Sequence, residues 1–135
     1  MKKELIGRLA IMALKITVGL IFIGEGLEKF EGIERFGDRQ SPFLDFYRAM
    51  FSTGYMLPFL GIAEIVGGVL IATIRFSLVG VIWTIPLALN VFLAHLNLIQ
   101  SPKGIAYTLT INLLLIFFLW LDRKKLKPLF AAKAV

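Results

Sequence analysis

Six polar side chains stand within stretches of sequence that are otherwise apolar: Lys15, Glu25, Glu64, Asn90, His95 and Asn112. Carboxylates, an imidazole and amides are the groups that hold a ligand's hydroxyl or carbonyl, or pass a proton. An ionisable group inside an apolar span is costly, so each is a functional candidate by default. Each also has a structural alternative. Glu64 could be hydrogen-bonded to Asn90 or Asn112 only to hold helices together. Lys15 could be its counter-ion. His95 could be a structural hydrogen-bond donor, and Glu25 and Lys29 form an i, i+4 pair in the favourable order.

Other chemistries lack their residues. The chain has no cysteine, which excludes disulfides, cysteine-ligated iron–sulfur clusters and covalently attached haem. With one histidine, a bis-histidine haem cannot form within one chain. Glu25, Glu28, Glu64 and His95 are metal-ligand types, but the Glu-x-x-His repeat of carboxylate-bridged bundles is missing, so no metal is expected. Ser41, Ser52, Ser77 and Ser101 lie at loops or helix ends, away from any His–acid pair. Gly24-Glu25-Gly26 has neither the preceding strand nor the glycine spacing of a phosphate loop.

The elements that must position these side chains are long apolar runs. Of the 135 residues, 58% are hydrophobic and 18% charged, against roughly 25% charged in an ordinary soluble domain. Mean hydropathy is +0.81. Four runs cover about residues 9–27, 55–74, 76–99 and 104–121, and roughly 20 helical residues cross a bilayer core. The expectation is one all-α domain over 1–135, a membrane-embedded four-helix bundle. Run one has a basic start, but its apolar core is too long for a signal peptide and Lys15 interrupts it. Pro86 cannot donate to the carbonyl of Ile82, which predicts a kink in run three.

Lys2, Lys3, Arg8, Arg75, Arg123, Lys124, Lys125, Lys127 and Lys133 fall on one side of the runs. These are nine of the 15 bases, so both termini are expected to face the cytoplasm, in a bacterial-type inner membrane. The net charge of +6 is then topology signal with some contact to anionic lipid, not a sign of nucleic-acid binding. In the first outer loop, Ser41-Pro42 is a helix start. Phe43, Phe46, Tyr47, Met50 and Phe51 then recur at helical spacing, and Gly54 is a stop. This predicts a short amphipathic helix at the outer surface, either an anchor in the headgroups or a lid over the bundle mouth.

At a rise of 1.5 Å per residue, Glu64, Asn90 and Asn112 lie about 12–14 Å below the outer surface and His95 about 6 Å. Glu25 closes the outer end of run one. Lys15 is the exception, roughly 10 Å from the cytoplasmic side. The polar groups therefore collect in the outer half of the membrane. Gly19, Gly26, Ala63-x-x-x-Gly67 and Gly68-x-x-x-Ala72 predict close helix approach.

These residues carry a resemblance. Lys15-x-x-x-Gly19-Leu20-x-Phe22-x-x-x-Gly26-x-x-Lys29-Phe30 resembles the first helix of the DoxX family of small membrane proteins. Glu64-x-x-Gly67-Gly68-x-Leu70 resembles its second helix, Asn90-x-x-x-x-His95 its third, and Arg75-Phe76 the link between helices two and three. The resemblance spans about residues 8–121. It departs at Lys15, where the family usually has Arg, and Lys lacks the two-pronged grip of a guanidinium. The resemblance implies a four-helix membrane bundle, sometimes associated with quinol oxidation or thiosulfate:quinone oxidoreduction and sometimes with assembly of membrane partners.

The leading expectation is a membrane subunit that binds a small lipophilic ligand, with quinone as candidate, in an outer-leaflet polar pocket. Glu64 and His95 would bond its oxygens, Asn90 and Asn112 would orient Glu64, Lys15 would balance charge from below, Glu25 is a further candidate ligand-binding residue, and the first-loop helix would gate entry. A quinone needs a second redox centre to pass electrons on, so activity would require a membrane redox partner. The alternatives are an assembly or scaffold partner of another membrane protein, and an oligomeric transporter or channel subunit.

Overall fold

The computed structural model describes residues 1–131; Lys133, counted above among the basic residues, lies outside them. Six α-helices follow in order: α1 (Lys2–Glu28), α2 (Pro42–Ser52), α3 (Met56–Ala72), α4 (Ser77–Ala94), α5 (Pro102–Leu121) and α6 (Arg123–Phe130). No strand occurs among the described residues. A single 3-10 turn, Glu34–Phe36, lies between α1 and α2, and another, Ile74–Phe76, leads into α4.

Three helical segments are long and apolar enough to cross a membrane: Lys2–Glu28, Ile74–Ile99 and Pro102–Leu121. Helix α3 has 17 residues, about 26 Å. Taken with α2 it passes the same test, but the two are bent by 97°. Only 22% of the apolar window in α1 and in α5, and 28% of that around α4, is buried. The remaining Leu, Ile, Phe and Trp side chains form an apolar exterior, which water would not tolerate at this extent.

Helix α1 packs on α3, α3 on α4, and α4 on α5. The first contact is glycine to glycine. A Cβ on Gly19 would lie 2.6 Å from the Gly68 carbonyl oxygen, and one on Gly26 would lie 2.6 Å from that of Gly61. Gly19, Gly26 and Gly68 meet the expectation of close approach; Gly61 adds a fourth contact. Gly67 of the predicted pair faces α4 instead, against Thr84. Trp83 Nε1 ties α4 to α3 by donating to the Ala63 carbonyl at 2.9 Å. The core draws Val18 and Phe22 from α1, Ile71 from α3, Val81 and Ala88 from α4, and Ile111, Leu115 and Phe118 from α5.

Pro86 lies inside α4, which continues through it as a helix. The hydrogen-bond ladder changes further on, where His95–Ile99 forms a π-helical turn. Gln100 ends that turn in the left-handed region (φ 52°), its N–H donating to the His95 carbonyl at 2.7 Å. Single π-turns of this kind cluster at functional positions.

Candidate functional site

A cavity of ≈ 240 Å³ opens where α2 covers the ends of the longer helices. One water needs about 10–15 Å³ on the same measure, so the space admits a ring-sized molecule. Its wall combines Glu25 and Glu28 of α1, Lys29 just past its end, Leu60 and Glu64 of α3, Leu87, Asn90, Val91 and Ala94 of α4, His95, and Tyr107 and Thr108 of α5. Arg35 and Phe36 of the loop, with Phe43, Phe46, Tyr47 and Met50 of α2, complete it.

The α2 helix forms for the reasons its sequence gives. The Ser41 hydroxyl accepts from the Leu44 N–H at 3.2 Å, and Pro42 opens the first turn. Gly54, at φ 76°, takes the left-handed conformation in which the chain turns into α3. Four of the five residues in the predicted stripe line the cavity; Phe51 is exposed instead. Arg48 fastens the preceding loop by donating to the carbonyls of Gly37 (3.2 Å) and Arg39 (2.8 Å).

Glu64 is the most enclosed ionisable group in this wall, 3% exposed. Its Oε2 lies 3.1 Å from Lys29 Nζ, an ion pair, yet that oxygen has no aligned hydrogen bond. The ammonium is instead aligned on the Glu25 backbone carbonyl at 3.2 Å. The Tyr47 hydroxyl, in a residue 4% exposed, also lacks a partner. Glu64 and Tyr47 thus belong to one cavity wall, and each has a buried oxygen without an aligned hydrogen bond. A buried polar atom without a partner is costly, and a molecule that supplies the missing bonds removes that cost.

Glu25, Glu64, Asn90 and His95 line one cavity; Asn112, which the depth estimate grouped with them, does not. Two other expectations are corrected. Lys15 is not the counter-ion of Glu64: its Nζ is 2.7 Å from Asp122 Oδ2, at the opposite end of the helices. Asn112 does not orient Glu64: its amide donates to the carbonyls of Thr108 (2.8 Å) and Ala88 (3.1 Å). It borders only a ≈ 10 Å³ void between α1, α4 and α5, too small for a ligand. No hydrogen bond joins Asn90 to Glu64. The Glu25 carboxylate also turns away from Lys29 and accepts from the Tyr107 hydroxyl at 3.0 Å.

His95 Nδ1 lies 2.9 Å from the Val91 carbonyl. A carbonyl only accepts, so Nδ1 carries the proton and Nε2 is left as an acceptor in the neutral ring. Gly104 packs on that ring's edge: a Cβ there would come within 2.5 Å of Cδ2. Among the described residues no three His, Asp or Glu side chains gather closely enough to hold a metal ion.

Sequence reasoning missed Lys29 as the partner of Glu64, together with Tyr47 and Tyr107 as site residues. Lys29 follows Glu25 by one turn, which hid its longer reach across to α3. Tyr107 carried a usable signal, since its hydroxyl lies on the helix face one turn before Ile111, a core residue.

Fold and site together define a helical protein with three to four membrane-length apolar helices among the described residues and a ring-sized, largely apolar cavity with polar groups in its wall at the end covered by α2. Comparison with models of protein families, with curated proteins and with solved structures gives no match to this chain.

Proposed function

We propose that the chain is an integral membrane four-helix bundle that holds a small lipophilic ligand with a polar head in the α2-covered cavity. In this reading α1, α3, α4 and α5 cross the bilayer. Helix α2 lies along its surface as a lid, in keeping with the 97° bend to α3 and with the aromatic stripe turned to the cavity. The end that carries the termini is the cytoplasmic one, because the basic residues collect there.

The observation that carries the proposal is the buried Glu64 Oε2, ion-paired but without a hydrogen bond, on the cavity wall. A ligand hydroxyl would donate to it, and a ligand carbonyl would accept from Tyr47 or Lys29. Aromatic rings from α2 would flank a planar head. The resemblance to the DoxX family makes a quinone the candidate, with electrons exchanged through a membrane redox partner.

The test is saturable binding of a short-chain quinone to the purified protein, by equilibrium dialysis. Hydrogen bonds to charged groups are worth about 1.5–3 kcal/mol, so Glu64→Gln weakens binding roughly 10- to 100-fold. Unchanged affinity in a Glu64→Gln protein that unfolds more easily would assign Glu64 to interhelical cohesion and end the proposal.

A further inference from the structure

We propose that α6 carries a binding site for the phosphate headgroup of anionic phospholipids, formed by Arg123, Lys124 and Lys127. The proposal rests on the bilayer reading of the long helices but not on the ligand cavity.

Arg123, Lys124 and Lys127 are exposed; Lys127 lies four positions after Arg123 and three after Lys124, so it neighbours both on the helix surface. None has an acidic partner among the described residues. Among the described residues the acids near this end are Glu4 and Asp122, and both Asp122 oxygens are taken: Lys15 holds one at 2.7 Å and Lys125 the other at 2.6 Å. That clamp does two things. It anchors the start of α6 to α1, and it removes the one nearby carboxylate that could neutralise the triad.

Arg123 is also held in place. Its guanidinium lies 4.2 Å from the Trp120 ring centre and donates to the Trp120 carbonyl at 2.8 Å. Trp120 is itself exposed and lies in the last turn of α5, the position at which tryptophan marks a membrane interface. The remaining guanidinium donors are left for an oxyanion, and guanidinium and ammonium groups suit phosphate. At the other end the pattern differs: Lys29, Arg35 and Arg48 are each paired with carboxylates of the chain. Arg39 and Lys103 at that end also lack a carboxylate partner among the described residues, but they belong to separate segments. The α6 triad is uncompensated charge on one short helix beside an interfacial tryptophan, and a phosphate-bearing lipid surface is the partner of matching charge.

Each basic side chain near an anionic surface is worth roughly five-fold in affinity. The experiment uses the full chain purified in a zwitterionic detergent, with phosphatidylglycerol or phosphatidylcholine titrated in and the retained lipid counted by native mass spectrometry. The expected result is tight retention of phosphatidylglycerol alone. The triple variant Arg123→Gln/Lys124→Gln/Lys127→Gln lowers it by about a hundred-fold, whereas Arg39→Gln/Lys103→Gln at the other end leaves it unchanged. A charge-preserving Lys124→Arg/Lys127→Arg variant retains the lipid. Equal retention of both lipids, or undiminished retention by the triple variant, overturns the proposal. Complete competition by millimolar inorganic phosphate also overturns it, assigning the site to a soluble anion. Extraction of the native protein from vesicles by alkaline carbonate would defeat the bilayer reading itself; a protein that resists extraction yet shows no lipid preference defeats only this inference.

Discussion

The protein buries two lysine–carboxylate pairs, one at each end of its helices, and completes them differently. At the α6 end both oxygens of Asp122 are bonded, to Lys15 and Lys125, and the Lys15 ammonium lies 5.6 Å from the Phe118 ring centre. Nothing is left over. At the α2 end Glu64 meets Lys29 at 3.1 Å without an aligned bond and borders open space. The residue types are the same and both carboxylates are buried. A buried ion pair is therefore not by itself a sign of function. An incompletely bonded one beside a cavity is the informative case, because it leaves something for another molecule to do.

The largest effect should come from breaking the completed pair. Asp122→Asn leaves Lys15 buried without a counter-charge, and truncating one partner of a buried pair costs about 3–5 kcal/mol. Denaturant unfolding in detergent would register the loss. Replacing both partners, Lys15→Met with Asp122→Leu, should recover most of it. The pair also sets an acid limit. Burial alone would raise the Asp122 carboxyl, but hydrogen bonds from Lys125 and Lys15 outweigh it and hold the group below its ordinary value of 3.8. A depressed folded value means that its stabilisation is complete above 3.8 and fades as pH falls through the folded value. Asp122→Asn should flatten the stability profile in that range. An Asp122→Asn protein as stable as the native chain would remove the contrast between the two ends.

A second effect, about 1–3 kcal/mol, should follow from Gly26→Ala. The new methyl would meet the Gly61 carbonyl oxygen at 2.6 Å and Ile65 at 2.8 Å. Helix α1 must then shift off α3, carrying Glu25 and Lys29 with it. Quinone affinity should fall together with unfolding stability. Gly24, two residues earlier, has nothing within 4 Å of an added methyl, so Gly24→Ala should leave both unharmed. If the two variants behave alike, the glycine seam does not set the geometry of the site.

The helices were legible because each apolar run is nearly continuous, and the start of α2 was legible because Ser41-Pro42 is a local signal. Counting residues along helices of fixed rise placed Glu25, Glu64, Asn90 and His95 in one half of the bundle, but it placed Asn112 there too, which the cavity wall does not include. Pairing was not legible in the same way. Lys15 and Asp122 are 107 positions apart, and their contact depends on where α1 stands along α5. Asp122 lay hidden in a basic tail. The Lys29–Glu64 pair likewise needs the Gly26–Gly61 contact, which brings α1 close enough for a lysine to reach across. Hydropathy and rise fix heights; which side chains meet is decided by small residues that let particular backbones touch.

The smallest effect sharpens the comparison most. Helices α1 and α5 are bridged by side chains at both ends, by Lys15–Asp122 at one and by the Tyr107–Glu25 hydrogen bond at the other. Tyr107 is 46% exposed, so the bond it makes is not enclosed by packed side chains. Tyr107→Phe should therefore cost only about 0.5–1 kcal/mol of unfolding stability, well below Asp122→Asn. Its consequence for the ligand should be more visible. The hydroxyl and the carboxylate it holds both belong to the cavity wall, so the wall between α1 and α5 opens more readily once they separate. Stopped-flow measurement of quinone release should show dissociation roughly two- to five-fold faster, with little change in denaturant midpoint. A Tyr107→Phe protein that is as fragile as Asp122→Asn and releases its ligand at the native rate would reverse the assignment, making the cavity end the structural one.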